Sequence, residues 1–215
     1  MVIIKAWDEI WKTKEGRALW LEPDPFVASL LPRFKKEGIE KILDIGFGVG
    51  RHAIFFAKEG FDAYGIEPSP TAIKYAIKWA EQEEVTLKLR TAEMNSLPFD
   101  TDLFDLVLAW NVIYHGTISY IRQTFKEIKR CLKFNGYLLC TLISTRHNKY
   151  GLGEEIEENT FIIAEEQEKS HPHHYFDIDE INQYLGEFIL IKCEDREQFY
   201  PGSFHWYILA RFVSK

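Results

Sequence analysis

The chain has 215 residues, of which 46% are hydrophobic and 15% aromatic, and its formal net charge is -7. That length and apolar content suit one packed domain and argue against disorder. The acidic balance argues against a protein whose main partner is a nucleic acid. The three cysteines are odd in number and widely spaced, which favours free thiols and a cytoplasmic protein. No apolar run reaches membrane-spanning length, so we expect no membrane partner.

Strand and helix patterns alternate from residue 40 onward. Five segments predict strands: "KILDI", "FDAYGIE", "VTLKLRT", "LFDLVLAW" and "GYLLCTLIS". Three segments between them predict helices: "RHAIFFAKEG", "SPTAIKYAIKWAEQ" and "SYIRQTFKEIKRCLK". This alternation predicts an α/β fold with a doubly wound, mostly parallel sheet and helices on both faces.

The C-terminal part follows a different pattern. A predicted helix, "FDIDEINQYL", precedes two predicted strands, "FILIKCEDREQFY" and "FHWYILARFV", which "PGS" joins. A turn that short joins antiparallel neighbours, so the seven-stranded sheet should end in an antiparallel hairpin at one edge. Residues 146–176 are the only long irregular stretch of this prediction.

A glycine-rich turn follows the first predicted strand in "ILDIGFGVG", residues 42–50. Gly46, Gly48 and Gly50 allow the backbone to pass close to a ligand. The dinucleotide fingerprint GxGxxG would need a third glycine at position 51, where the chain has Arg51. Asp44 precedes the loop, and a carboxylate there would repel the phosphates that such loops often bind.

A second carboxylate, Glu67, ends the second predicted strand. An acidic residue at that place can hydrogen-bond both hydroxyls of a ribose. Asp44 and Glu67 together indicate a nucleoside that carries positive charge and no phosphate. S-adenosylmethionine has these properties: a ribose, a sulfonium and an amino group, which Asp44 would face.

The sequence resembles the class I (seven-stranded, Rossmann-like) S-adenosylmethionine-dependent methyltransferases. The likeness lies in "LDIGFGVGRH", "YGIEPSPTAIKYA", "AEMNSLPFDTDLFDLVLAW" and "IKRCLKFNGYLLCTL". It implies S-adenosylmethionine as the cofactor and a site in which Glu67 binds the ribose and Glu93 lies near the adenine amino group. The implied cofactor-binding residues are Asp44, Gly46, Phe47, Gly48, Gly50, Glu67, Pro68, Ala92, Glu93, Met94, Trp110 and Asn111.

The predicted loop after the fourth strand, "WNVIYHG", belongs to the reacting end in this family. The resemblance implies that Tyr114 and His115 point into the substrate space. Methyl transfer needs a general base only where the nucleophile is protonated, and His115 is the best candidate base, with Tyr114 beside it. A purely structural role for His115 stays open. Asn111 to Tyr114 lack the prolines of the Asn-Pro-Pro-Tyr type sequence, which argues against N-methylation of nucleic acid or protein amides.

The N-terminal arm carries Trp7, Trp11 and Trp20. It resembles the arm with which small-molecule methyltransferases of the thiopurine and tellurite-resistance type cover the cofactor, and this likeness adds Trp11 to the expected cofactor site. Aromatic faces near a sulfonium would also offer cation–π attraction. The alternative is that these tryptophans only pack the arm onto the sheet.

We expect one methyltransferase domain over residues 1–215. Its predicted parts are an arm (1–24), a cofactor-binding core (25–145), a substrate lid (146–176) and a helix with the edge hairpin (177–215). The "HPHH" run in the lid contains His171, His173 and His174, but no spacing that places two of them on one helix face. The sequence therefore predicts no metal site.

The leading hypothesis is an S-adenosylmethionine-dependent methyltransferase that acts on a small molecule. One alternative is a non-catalytic cofactor-binding or sensor protein on the same fold, because the chemistry needs few residues. The other is an NAD(P)-dependent oxidoreductase, against which Arg51 and Asp44 argue.

Overall fold

The computed structural model describes residues 2–166 and 169–214, so residues 1, 167, 168 and 215 of the predicted segments lie outside the described residues. The helices are α1 (Val2–Lys12), α2 (Lys14–Ala18), α3 (Pro25–Ser29), α4 (Leu31–Lys36), α5 (Arg51–Lys58), α6 (Pro70–Gln82), α7 (Ile118–Cys131) and α8 (Ile178–Tyr184). The strands are β1 (Lys41–Ile45), β2 (Asp62–Ile66), β3 (Lys88–Arg90), β4 (Phe104–Ala109), β5 (Leu132–Ile143), β6 (Glu154–Glu157), β7 (Thr160–Ile162), β8 (His173–His174), β9 (Phe188–Glu197) and β10 (Phe204–Phe212).

Seven of the strands form one sheet in the order β3-β2-β1-β4-β5-β10-β9. The neighbours from β3 to β5 pair in parallel, and β10 lies antiparallel between β5 and the edge strand β9. The fold class predicted from the sequence is confirmed, including the antiparallel hairpin at one edge. The hairpin turn occupies residues 198–203 and contains the predicted "PGS".

Helices cover both faces of this sheet because alternate strand residues point to opposite sides. On one side Leu43 and Val107 pack with residues of α7 and α8. On the other side Ile42 and Leu106 pack with residues of α3, α4 and α5. Strands β1 and β4 are therefore buried along almost their whole length, as the sequence pattern indicated.

The segment 146–176, predicted to be irregular, contains a separate three-stranded sheet in the order β6-β7-β8. Both pairings in it are antiparallel. The prediction of an irregular stretch was wrong because β6 reads "EEIE", and its exposed glutamates give no apolar alternation. Within the described residues, no helix has the length and apolar character needed to cross a membrane.

Candidate cofactor and substrate site

A cavity of about 320 Å³ opens at the carboxyl ends of β1, β2 and β4. Its volume is within the range of small-molecule sites, and ligands of open α/β sheets bind at this edge. Twelve of the thirteen predicted cofactor residues line it: Trp11, Asp44, Gly46, Phe47, Gly48, Glu67, Pro68, Ala92, Glu93, Met94, Trp110 and Asn111. Of the two candidate catalytic residues, His115 is in the lining and Tyr114 is not.

The glycine loop has left-handed backbone at Gly46, Gly48 and Gly50, and close approach of other atoms also demands glycine at each. Gly46 has φ +62° and Gly48 has φ +56°. A Cβ on Gly46 would come within 2.7 Å of Val112 Cγ2, and one on Gly48 within 3.1 Å of the Trp11 ring. Gly50, the predicted residue outside the lining, is instead the N-cap residue of α5, with φ +95°, and packs on Ala76 of α6. Its role is therefore to pack the two helices.

Glu67 is the centre of the hydrogen bonding at the end of β2. Its Oε2 accepts from the backbone N–H of Gly48 at 3.0 Å, and its Oε1 accepts from that of Ser69 at 2.9 Å. Ser69 in turn caps α6, since its Oγ accepts from Ala72 N at 3.1 Å. Burial raises the pKa of Glu67 to about 7, although both backbone donors lower it. Each carboxylate oxygen keeps a second lone pair for a ligand hydroxyl.

Asp44, near the end of β1, is 2% exposed, and its Oδ2 has no hydrogen-bond partner among the described residues. Burial raises the pKa of Asp44 to about 8, and the nearby Glu67 carboxylate also raises it, while Arg51 acts in the opposite direction. Removing a carboxylate from water is costly unless a cation or donor faces it. Asp44 therefore marks the point of this cavity where positive charge in a ligand would be most stabilised.

The N-terminal arm covers the glycine loop with three tryptophans. Trp7 and Trp11 stack at 5.1 Å between ring centroids, and Trp20 meets both edge-on. Asp8 holds α1 to the start of α6, because its Oδ1 accepts from Ser69 Oγ at 2.6 Å and from Thr71 N at 3.1 Å. All three tryptophan rings line the cavity, so the arm is one of its walls.

The loop after β4 holds Asn111 in left-handed backbone, with φ +60°. Thr141 fixes it: its Oγ1 accepts from Asn111 N and donates to Asn111 Oδ1, both at 2.8 Å. The amide Nδ2 of Asn111 is buried and has no partner among the described residues. It is thus a free donor on a residue that lines the cavity.

His115 has both ring nitrogens engaged away from a reacting group. Its Nε2 lies 3.2 Å from the carbonyl oxygen of Asn111, and its Nδ1 lies 2.9 Å from Nε2 of His171. Burial lowers the pKa of His115 well below its ordinary value, and the neighbouring His171 adds to this. The Tyr114 ring packs against the His115 ring at 4.5 Å between centroids, with the ring planes tilted by 39°. This geometry gives no support to either residue as a general base.

Several lining residues were not predicted. Arg51 stacks over Trp20 at 5.0 Å, and its Nη1 donates to the carbonyl of Glu22 at 3.2 Å. Tyr120 of α7 donates its hydroxyl to Glu93 Oε2 at 3.1 Å, and Thr117 and Pro172 border the same side. No motif in the sequence indicates these contacts, because each joins segments that are far apart in the chain.

Residues 42–136 match a family model described as a methyltransferase domain. The resemblance to class I S-adenosylmethionine-dependent methyltransferases predicted from the sequence is confirmed.

Among the relatives is a protein from Geobacillus sp. (strain WCH70) named as a methyltransferase, which is 34% identical over 122 residues, 56% of this chain and 49% of that protein. The chain spans about half or less of the length of the first curated relatives it matches.

Solved structures share the fold over most of the chain. An S-adenosylmethionine-dependent methyltransferase from Methanosarcina mazei has a TM-score of 0.75 at 21% identity, with 91% of this chain and 100% of that one covered. The 1,6-didemethyltoxoflavin-N1-methyltransferase of Burkholderia thailandensis, solved with 1,6-didemethyltoxoflavin and S-adenosylhomocysteine, has a TM-score of 0.71 at 15% identity, covering 98% and 88%. TehB of Haemophilus influenzae has a TM-score of 0.67 at 15% identity, covering 86% and 62%. At these identities the likeness concerns the fold alone.

Proposed function

We propose that this chain binds S-adenosylmethionine and transfers its methyl group to a small-molecule acceptor. The observation that carries the proposal is the pair of buried carboxylates, Asp44 and Glu67, at the mouth of a glycine loop. Both carboxylates have raised pKa values, so a ligand with positive charge and no phosphate is the one they stabilise best. The relatives and the matched family model support the same class of cofactor.

The residues present fit this cofactor. Glu67 has lone pairs for ribose hydroxyls, and Asp44 Oδ2 has no partner and would face the ammonium group. Ala92, Glu93 and Met94 border the side of the cavity where an adenine would lie. When bound, S-adenosylmethionine supplies an activated methyl group on a sulfonium.

The chain's own contribution would be to orient the acceptor and to exclude water. Trp7, Trp11 and Trp20 close one side of the cavity with aromatic surface. The free amide donor of Asn111, in the loop after β4, can orient an acceptor or the cofactor. An acceptor that is unprotonated at the working pH needs no base, which agrees with the engaged nitrogens of His115.

Two finer expectations belong to the same proposal. A net charge of -7 favours a small molecule over a nucleic acid as the acceptor. The cysteines among the described residues are free, with Cys131 and Cys140 buried, and this favours a reducing compartment such as the cytoplasm.

One observation favours a second candidate, a cofactor-binding protein without turnover: neither Tyr114 nor His115 presents a free basic group to the cavity. One experiment separates the two candidates. Calorimetric titration with S-adenosylmethionine and S-adenosylhomocysteine measures binding, and S-adenosylmethionine with a labelled methyl group, offered with a panel of small acceptors, measures transfer. Binding with transfer supports the methyltransferase; binding without transfer to any acceptor supports the second candidate; absence of binding contradicts both.

A further inference from the structure

Three buried histidines meet where two distant segments pair. His115 follows β4, whereas His171 and His173 come just before or within β8. A β-bridge joins His115 to His173, and Gly116 N donates to the carbonyl of Pro172 at 2.9 Å. One nitrogen of each ring lies within 4.8 Å of one nitrogen of both others. The exposed fractions of the three residues are only 4%, 1% and 1% in chain order.

Carbonyl groups fix the tautomers of two of these rings. Nδ1 of His173 lies 2.9 Å from the carbonyl oxygen of His171, so it must carry the proton and donate. Nε2 of His173 therefore carries no proton and has a free lone pair. By the same argument Nε2 of His115 carries the proton and donates to the carbonyl of Asn111. Its Nδ1 is therefore unprotonated and has a lone pair. Ligands of metal ions are commonly oriented in this way, with one ring nitrogen donating to a carbonyl and the other facing the ion.

The tautomer of the third ring, that of His171, follows from the tautomer of His115. Because Nδ1 of His115 can only accept, Nε2 of His171 must donate to it across 2.9 Å. Nδ1 of His171 is then also a lone pair. Nε2 of His173 and Nδ1 of His171 are buried and have no hydrogen-bond partner among the described residues. A buried polar atom without a partner costs about 1–3 kcal/mol, so two in one cluster require an explanation.

We propose that His115, His171 and His173 bind a divalent transition metal ion. Imidazole nitrogen suits Zn²⁺, Cu²⁺, Fe²⁺ and Ni²⁺, whereas Mg²⁺ and Ca²⁺ prefer oxygen. The ion takes the Nδ1 lone pair of His115, the Nε2 lone pair of His173 and one nitrogen of His171. If that nitrogen is Nε2, the ion replaces the proton between the rings, and the 2.9 Å separation opens to roughly 3.3 Å, the spacing set by tetrahedral bonds of 2.0–2.1 Å.

The ion would tie the loop after β4 to the segment before α8. His115, Gly116 and Pro172 line the cavity, and the His115 ring meets that of Trp7 edge-on at 5.8 Å between centroids, so the ion would fix the part of the wall beside the tryptophans. The expectation of no metal came from spacing along one helix face, and it did not consider His115. Lys169 opposes binding, because it is buried and its positive charge acts on all three rings. Removal of that charge should strengthen the site.

The test is metal binding by the full chain prepared without a histidine tag. After chelator treatment, titration with ZnCl₂ by calorimetry and with CoCl₂ by visible absorption should give one site per chain. We expect His173→Gln to weaken binding at least tenfold and Lys169→Met to strengthen it. His205→Gln is the matched control, since His205 is equally buried beside Tyr114 but lies outside the cluster, and it should bind within about twofold of the unsubstituted chain.

A measurement on the unsubstituted chain avoids reliance on a variant that fails to fold. Nitrogen-15 NMR of the imidazole groups should show new shifts on Zn²⁺ addition for three histidines and leave the others unchanged. Absence of a stoichiometric site, equal binding by folded His173→Gln, or weaker binding by folded Lys169→Met would overturn the proposal. The readout is independent of methyl transfer and of S-adenosylmethionine binding, so its failure is distinct from failure of the proposed function.

Discussion

Asp44 and Glu67 are two buried carboxylates that line the same cavity, and burial raises the pKa of each. Glu67 is held by two backbone donors, whereas Oδ2 of Asp44 has none among the described residues. The two residues therefore have different roles. Glu67 organises the loop and offers spare lone pairs, and Asp44 is left to be compensated by a ligand.

Replacing Glu67 by Ala should weaken the binding of S-adenosylmethionine by about 1–3 kcal/mol, the cost of removing a charged hydrogen-bond partner. Calorimetric titration measures this change. The substitution also leaves the N–H groups of Gly48 and Ser69 without their acceptor, so some loss of stability should accompany it. Glu67→Gln is the control, because it keeps the volume and one acceptor. Unchanged affinity in a folded Glu67→Ala protein would show that Glu67 does not hold the ribose.

The pH dependence of stability should reveal Asp44. Its pKa is raised from 3.8 to about 8 in the folded chain, mainly by burial. The stability that the folded chain gains from protonated Asp44 is therefore fully present below about pH 4, and it is lost as pH rises towards 8. Buried histidines with lowered pKa values, such as His171, act in the opposite sense below pH 6.5. The quantity to measure is therefore the difference in Tm between Asp44→Asn and the unsubstituted chain. The Tm of Asp44→Asn should rise relative to that of the unsubstituted chain as pH increases from 4 to 8. A constant difference would contradict the assignment.

Gly48 tests the close approach of the arm to the loop. Gly48→Ala places a side chain in left-handed backbone, which costs about 1–2 kcal/mol, and 3.1 Å from the Trp11 ring. Gly38→Ala is the matched control, since Gly38 has φ +69° but no atom within 4 Å of the added Cβ. Chemical denaturation of both variants should show a larger loss for Gly48→Ala, and only that variant should weaken cofactor binding. Equal losses of stability and unchanged cofactor affinity in both would contradict this account.

At the scale of elements, the sequence was informative wherever a pattern is local. The strand β1, the glycine loop and the helix α6 follow from neighbouring residues, and each was predicted. The sheet of β6, β7 and β8 was not predicted, because its pairing joins separate segments and β6 is mostly glutamate. For the same reason the meeting of His115 with His171 could not be seen in the sequence. Contacts made through folding leave no local pattern.

The arm and the segment 146–176 should respond differently to ligand. The sequence predicts that the arm covers the cofactor and that the segment 146–176 is a substrate lid, and both stay predictions. The tryptophans of the arm line the cavity. The segment is paired to the core at several places, including His174 N to the carbonyl of Tyr114 at 2.9 Å. Hydrogen exchange with S-adenosylhomocysteine should therefore protect α1 strongly and β7–β8 little. Equal protection of α1 in both states would show that the arm is a fixed wall.

For the molecule as a whole, the sheet order places the ends of β1, β2 and β4 side by side, and the cavity follows from that order. Many reactions use this architecture, so the fold alone does not name the acceptor. The charged residues around the cavity restrict the range of possible cofactors more than the fold does. Two buried carboxylates and a stacked guanidinium are arranged in a way that suits a nucleoside without phosphate.

The full chain should accordingly bind S-adenosylmethionine and S-adenosylhomocysteine, and bind NAD at least about tenfold more weakly, a difference of about 1.4 kcal/mol. Binding of a pyrophosphate needs a glycine-rich turn whose backbone N–H groups are free to donate to the phosphates, and it requires that no negative charge lies nearby. Here Glu67 already accepts from Gly48 N, and Arg51 is turned onto Trp20 and the carbonyl of Glu22. Above about pH 8 the ionised Asp44 would add repulsion, so the preference should widen as pH rises. Calorimetric titration of the three ligands at pH 6.5 and 8.5 measures it, with S-adenosylhomocysteine as the uncharged-sulfur control. Comparable affinity for NAD at either pH would mean that the loop accepts phosphate and that the methyltransferase assignment should be replaced by that of an oxidoreductase.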